Sequence, residues 1–187
     1  DYLFIDEAGQ VSLANLVGMS RSTKNLILMG DQMQLGQPTQ GIHPEETGSS
    51  SLDYLLGDLA TIPEDIGMLL PKTYRLHPDI CEFVSTRVYE GRLSHDNLTE
   101  ERKLNFKPGS SISKGSGIFY VPVDHFGNEQ SSGEEIEVIK DLVKELMLAK
   151  KTEVGGLKSQ VAPEDLLIVA PYNHQVRNLQ ESLGKKF

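Results

Sequence analysis

Four short apolar runs constrain the fold of this chain more than any other feature. They are Tyr2-Leu3-Phe4-Ile5, Asn25-Leu26-Ile27-Leu28-Met29, Ile118-Phe119-Tyr120-Val121 and Leu166-Leu167-Ile168-Val169-Ala170. Such runs are too short for helices and lack the polar alternation of a half-exposed sheet. They read as strands buried on both faces. Helical patterns lie between them. Val11, Ala14 and Leu16 through Met19 form the first. Ser50 with Asp53 opens a second, carrying Leu52, Leu55, Leu56 and Leu59. Pro78, tolerated in a first helical turn, opens a third with Ile80, Cys81, Val84 and Val88. Ser132 and Glu135 have capping-box spacing ahead of Ile136, Ile139, Leu142, Val143, Leu146 and Met147. Asn173 opens the last, with Val176, Leu179 and Leu183. Strands alternating with helices predict an α/β fold of RecA-like type, with doubly wound, mostly parallel sheets.

Charge and punctuation divide the chain. The stretch from Pro63 to Pro71 has a proline at each end, and the charge balance changes there. Residues 1–70 carry ten acids and two bases, and residues 71–187 carry seventeen acids and sixteen bases. The expected domains are therefore 1–70 and 71–187. Residues 91–116 are polar and read as an excursion between core elements. The formal net charge of −9 excludes an overall basic surface, so any nucleic-acid contact is local. No apolar run is long enough to span a bilayer, which predicts no membrane partner. One cysteine cannot form an internal disulfide, and with no secretory signal the expected location is cytoplasmic. One cysteine and scattered histidines also lack zinc-ligand spacing.

The chemistry-bearing residues follow the strand ends, where open α/β sheets bind ligands. Asp6-Glu7 ends the first apolar run. Two acids in that place have the Walker B arrangement: the first holds Mg²⁺ and the second orients or deprotonates an attacking water. Gly30-Asp31-Gln32-Met33-Gln34-Leu35-Gly36-Gln37-Pro38 follows the second run. Tyr74-Arg75-Leu76-His77-Pro78 opens the second half, and Ala170-Pro171-Tyr172-Asn173-His174-Gln175 follows the fourth run.

This series, beginning with Asp6-Glu7-Ala8-Gly9-Gln10 and in this order, resembles the superfamily 1 helicases. It is most similar to the 5′-to-3′ group that includes the nonsense-mediated-decay helicase and the Dna-two-type nuclease-helicases. The stretch from Leu13-Ala14-Asn15-Leu16 through His43-Pro44-Glu45 also resembles bacterial members fused to a RecB-like nuclease domain. The resemblance implies parts of two P-loop NTPase motor domains, with ATP and Mg²⁺ as cofactors. It implies single-stranded nucleic acid as partner, DNA favoured over RNA. Asp6 would hold Mg²⁺ through water and Glu7 would be the general base. Gln34 would reach the γ-phosphate, and Arg75 would be the arginine finger. Tyr74 would stack on adenine, with Gln10 and Asp31 in the same nucleotide-binding set. Pro171, Tyr172 and Gln175 match a motif near the nucleic-acid backbone. His77 reads as a helix-start residue. Many relatives have Ala where Gly9 stands, Gln where Thr73 stands and Met where Leu76 stands. Gly9 and Leu76 read as conservative changes, and Thr73 as the loss of one polar contact.

The chain contains no Gly-x-x-x-x-Gly-Lys-[Ser/Thr] phosphate loop. A start on an apolar run without Met reads as a fragment, with that loop expected before residue 1 and later motifs after Phe187. By itself the fragment is expected to be inactive. Two other readings compete. In a metal-dependent nuclease-associated domain, Asp6 and Glu7 would activate water for phosphodiester cleavage, and Glu101-Arg102-Lys103 has the Glu-x-Lys spacing; we expect that segment to be a solvated loop. The other is a helicase-like module that binds a partner without turnover.

Overall fold

The computed structural model describes the whole chain except Gln37, Thr39, Gln40, Ser113, Lys185 and Phe187, so Gln37 of the second motif lies outside the described residues. Contacts divide the chain into two compact units. One is Asp1–Pro71 with Val84–Leu93, and the other is Lys72–Phe83 with Ser94–Phe187.

In the first unit β1 (Tyr2–Ile5) and β2 (Asn25–Leu28) pair in parallel, Tyr2 opposite Asn25 and Ile5 opposite Leu28. Parallel neighbours need a crossover, and α1 (Leu13–Ser20) supplies it. Its first turn is capped by the Ser12 hydroxyl, which accepts the Asn15 N–H. α2 (Ser51–Leu56) starts in the same way, the Ser50 hydroxyl accepting the Asp53 N–H at 3.0 Å. The Val11 carbonyl ties the two starts together by accepting both the N–H and the hydroxyl of Ser51, at 2.7 and 2.8 Å. Gly57, at φ 56°, ends α2, so Leu59 lies beyond the helix expected to carry it.

Ile5, Ala8, Leu16, Leu52 and Leu56 form the buried core, with Leu3, Val11, Leu13, Leu28 and Ile62 packed around it. Each fully buried Leu or Ile contributes about 1.5–3 kcal/mol. Side-chain burial therefore outweighs the four-residue ladder. The sheet is covered on one face only: Ile5 is buried while Tyr2 and Phe4 are exposed, which corrects the expectation of burial on both faces.

In the second unit β3 (Lys72–Thr73) pairs in parallel with β4 (Ser94–His95). α3 (Pro78–Val88) begins in this unit, and its residues from Val84 onward belong to the first. The His77 Nδ1 accepts the Asp79 N–H at 3.2 Å, so His77 caps the helix, as expected of a helix-start residue. β5 (Lys103–Asn105), β6 (Lys150–Thr152) and β7 (Lys158–Gln160) form an antiparallel sheet in that order. α4 (Gly133–Leu148) and α5 (Asn173–Leu183) pack together, burying Ile136, Val143 and Leu179.

Three expectations about the sheet do not hold. The apolar runs 118–121 and 166–170 form no strand. Apolar, β-branched composition favours a pleated surface, but a ladder also needs a neighbour in register. The polar stretch 91–116 instead contributes β4 and β5. The described residues form two two-stranded parallel ladders and one antiparallel three-stranded sheet, smaller than the doubly wound, mostly parallel sheets expected. No helix among the described residues is long and apolar enough to cross a membrane.

Candidate functional site

Backbone pairing continues past the ends of β1 and β2. The Met29 N–H donates to the Ile5 carbonyl at 2.8 Å, and the Ala8 N–H donates to the Met29 carbonyl at 2.9 Å. This brings the Asp6–Gln10 turn against the Gly30–Gln34 turn at the C-terminal end of the sheet.

Two glycines permit that approach. A Cβ on Gly9 would stand 2.5 Å from the Asp31 carbonyl oxygen, and one on Gly30 would stand 2.7 Å from the Ala8 nitrogen. Neither space admits a methyl group. Gly9 is therefore a requirement of this packing, which corrects its reading as a conservative change. Ala8 beneath the turn is wholly buried.

Asp6 and Glu7 are exposed at this end. One Asp6 carboxylate oxygen accepts the Glu7 N–H at 2.9 Å. Glu7 has φ 51°, the left-handed region that a residue with a Cβ adopts at a cost of about 1–2 kcal/mol. The Glu7 carbonyl takes the Gln10 N–H at 2.8 Å, closing the turn and holding Glu7 there. Strain of this kind concentrates at functional sites. The Gln10 side chain is exposed.

In the facing turn the Asp31 carboxylate organises its neighbours. One oxygen accepts the Met33 N–H at 3.0 Å, and the other accepts the Gln34 side-chain amide at 3.1 Å. Gln32 fastens the turn from below, donating to the Leu59 and Ala60 carbonyls at 3.1 and 2.8 Å. Tyr89 was not singled out in the sequence. Its hydroxyl donates to the same Asp31 oxygen at 2.5 Å. Burial, and then the Asp31 carboxylate, push that hydroxyl up to about 12. Tyr89 directly follows α3, before Glu90 and Gly91, both at positive φ, and its local sequence carries no signal of the Asp31 contact.

The remaining candidates lie in the second unit. Tyr74 is exposed, and so is Arg75, whose guanidinium pairs with no carboxylate among the described residues. The Arg75 backbone is fixed at both ends. Its N–H donates to the Thr73 hydroxyl at 3.2 Å, and its carbonyl accepts from the Arg102 guanidinium at 3.1 Å. Thr73 thus supplies a polar contact of its own.

Pro171 and Tyr172 are exposed before α5, but Gln175 is not. Gln175 is 5% exposed. Its carbonyl oxygen accepts the Ser132 N–H at 2.9 Å, and its amide donates to the Ser132 carbonyl and the Glu135 carboxylate, both at 3.3 Å. The expected capping box is completed from outside: Ser132 accepts the Glu135 N–H, while Gln175 takes the Ser132 N–H. Gln175 therefore locks α5 to the start of α4.

Glu101 accepts the N–H groups of Gly155 and Gly156 at 2.6 and 3.0 Å, holding the β6–β7 hairpin turn. Glu101, Arg102 and Lys103 are exposed, as expected of a solvated segment, but Glu101 ends a short 3-10 helix and Lys103 begins a strand rather than a loop. Among the described residues no three His, Cys, Asp or Glu side chains converge as a metal cluster.

A family model described as an AAA domain matches residues 53–187. The chain belongs to this AAA-domain family. This AAA-domain chain is 29% identical to "ATP-dependent helicase upf1" of Schizosaccharomyces pombe over 174 residues, covering 92% of the chain and 18% of that protein. It is 27% identical to "Probable helicase senataxin" of Mus musculus over 200 residues, covering 99% and 7%. It is 30% identical to "Regulator of nonsense transcripts 1" of Dictyostelium discoideum over 179 residues, covering 93% and 12%. These likenesses make the AAA-domain chain a superfamily 1 helicase sequence of the Upf1-like group, with the P-loop NTPase fold that the family implies. No solved structure gives a significant match. The AAA-domain chain spans less than a quarter of the curated relatives it matches.

Proposed function

We propose that this chain is part of an ATP-driven motor that moves along single-stranded nucleic acid, acting within the full-length protein. Residues 1–70 would end a first RecA-like motor domain and residues 71–187 would begin a second. The observation that carries the reading is the glycine-packed pair of turns. It packs the backbone of the Asp6–Gln10 turn against that of the Gly30–Gln34 turn at one strand end, the place where such sheets bind ligands.

The donor set fits Mg²⁺. That ion keeps several waters and takes one or two carboxylates besides the phosphates. Asp6 has one oxygen committed to the Glu7 N–H and its other oxygen to offer. When bound, Mg²⁺ withdraws charge from the phosphates during transfer. Asp6 would hold it, directly or through water. Glu7 would take the proton of the attacking water on its carboxylate. Gln34 would sense the γ-phosphate end of the nucleotide, and Gln10 and Asp31 would shape that pocket. Tyr74 would stack on the base. Arg75, exposed and with its backbone pinned, would donate its planar fork to phosphate oxygens, a contribution of about three to five orders of magnitude in rate where such fingers act. Pro171 and Tyr172 would lie along the nucleic-acid backbone, and Gln175 would hold α5 in place behind them. Backbone contact is largely independent of sequence, which suits a motor that crosses any sequence.

None of the likenesses favours DNA, and one relative's name refers to transcripts, so DNA and RNA stand level as tracks. The commitment of Glu101 to the hairpin argues against a nuclease centre in that segment of the chain. We place the protein in the cytoplasm.

The test is ATP turnover by the full-length protein, with and without single-stranded DNA and RNA, beside Glu7→Gln and Arg75→Ala. Stimulated turnover, lost in both variants while ATP still binds, supports the motor. Turnover that neither substitution changes refutes it.

A further inference from the structure

Asp31 is the meeting point of two donors from different parts of the first unit. Its Oδ2 accepts Gln34 Nε2 at 3.1 Å and the Tyr89 hydroxyl at 2.5 Å. Its Oδ1 is taken by the Met33 N–H, so the carboxylate cannot rotate without giving up that bond. A carboxylate only accepts, and an amide donates only from nitrogen. Gln34 therefore turns Nε2 toward Asp31, which leaves Oε1 and the second Nε2 hydrogen to present elsewhere. The Oε1 acceptor suits the O–H of a water molecule, and the remaining N–H can still reach a phosphate oxygen.

Tyr89 is itself firmly placed. The Thr61 hydroxyl donates to the neighbouring Glu90 carboxylate at 2.5 Å, and Arg92 donates to Thr61 Oγ1 at 2.7 Å. Ser85 takes the N–H groups of Gly91 and Leu93 through its carbonyl and hydroxyl. Because burial and Asp31 raise the phenol, Tyr89 remains a donor throughout the neutral range.

We propose that Tyr89 is a positioning residue for Gln34: acting through Asp31, it fixes the amide so that Oε1 accepts from the water attacking ATP. This rests on the motor reading and adds alignment of water to the phosphate contact of Gln34.

The experiment is steady-state ATPase of the full-length protein with saturating single-stranded nucleic acid, comparing Tyr89→Phe, Gln34→Ala and the double variant. Thr61→Val loosens the same segment without touching Asp31 and serves as the structural control. Tyr89→Phe keeps the ring and is expected to lower kcat roughly tenfold, the loss typical of one charge-assisted hydrogen bond. KM for ATP should stay unchanged. The double variant should match Gln34→Ala alone, because the two residues act in series. Thr61→Val should lower the melting temperature and reduce kcat by less than Tyr89→Phe, because the Tyr89 hydroxyl is retained. Unchanged kcat in Tyr89→Phe, with turnover lost in Gln34→Ala, refutes the role of Tyr89 and leaves the motor reading standing. Losses that multiply in the double variant, or a Thr61→Val defect equal to that of Tyr89→Phe, also overturn the proposal. A harmless Gln34→Ala removes the reading of Gln34 on which it rests.

Discussion

Gly9 and the Asp31 carbonyl lie so close that a methyl group on Gly9 would sit 2.5 Å from the oxygen. The atoms in the way are backbone, which cannot swing aside as a side-chain end would. Gly9→Ala should therefore destabilise the chain by about 1–3 kcal/mol, the usual cost of overpacking. Gly18, inside α1, has open space where its Cβ would be. Gly18→Ala should stabilise by about 0.5–1 kcal/mol. Urea melts of the two variants should move in opposite directions, and equal shifts would refute the packing argument.

Glu7 departs from the rule that changes at a conformationally strained residue only cost stability. At φ 51°, glycine is the better fit. Glu7→Gly should keep or raise stability, by up to about 1 kcal/mol, while turnover in the full-length protein is lost. A variant that melts lower than the parent would show that the Glu7 side chain supports the turn rather than straining it.

The Tyr89 hydroxyl provides a pH signature. Its folded value of about 12 lies above the ordinary value of 10.0. The protonated phenol therefore favours the folded state fully below about pH 10, and that contribution is lost as pH rises through about 12. Phenolate absorbance should show a late-titrating component that Tyr89→Phe lacks. Asp31→Asn should move this component down without restoring the ordinary value, because burial, the larger cause, remains. Identical curves for parent and Tyr89→Phe would disprove the assignment.

Much of the architecture is legible in the residues. Apolar runs locate β1 and β2, Ser12 and Ser50 set helix starts by hydroxyl capping, and Ser132 does the same for α4. What local pattern cannot convey is partnership. Composition alone does not say that 118–121 and 166–170 form no ladder, nor that the polar segments around Lys103, Lys150 and Lys158 do. At the site, Asp6, Glu7, Asp31 and Gln34 follow strand ends and can be found from that position. Tyr89 is 58 residues from Asp31 in sequence. Gln175 is 43 from Ser132. Neither contact leaves a local trace.

The Gln175 contact is a stability determinant rather than an exposed binding contact. Gln175→Leu removes the acceptor of the buried Ser132 N–H and should cost about 1–3 kcal/mol. Tyr172→Ala, at an exposed residue, should leave the unfolding free energy within about 0.5 kcal/mol of the parent. If both variants melt alike, Gln175 is not the lock between α4 and α5.

Glu101 should act only on its hairpin. Glu101→Gln weakens an acceptor of two N–H groups, so hydrogen exchange at Gly155 and Gly156 should accelerate while the α4 amides keep their protection. Divalent metal should not alter that exchange in the parent. Protection of Gly155 and Gly156 by added Mg²⁺ or Mn²⁺ would revive a metal role for this acid.

The first unit is not continuous in sequence: Val84–Leu93 returns to it after Lys72–Phe83 has entered the second. A ribosome releases residues in order, so Asp31 and Thr61 emerge well before Tyr89 and Arg92, the side chains that tie them down. Until then the Gly30–Gln34 turn has its local bonds and the Gln32 bonds to Leu59 and Ala60, without the Tyr89 bond to Asp31. The two units therefore mature in an interleaved order rather than one after the other. A translational pause between residues 71 and 89 would catch the nascent chain with its Asp31 turn unlatched, at the stage most in need of a chaperone.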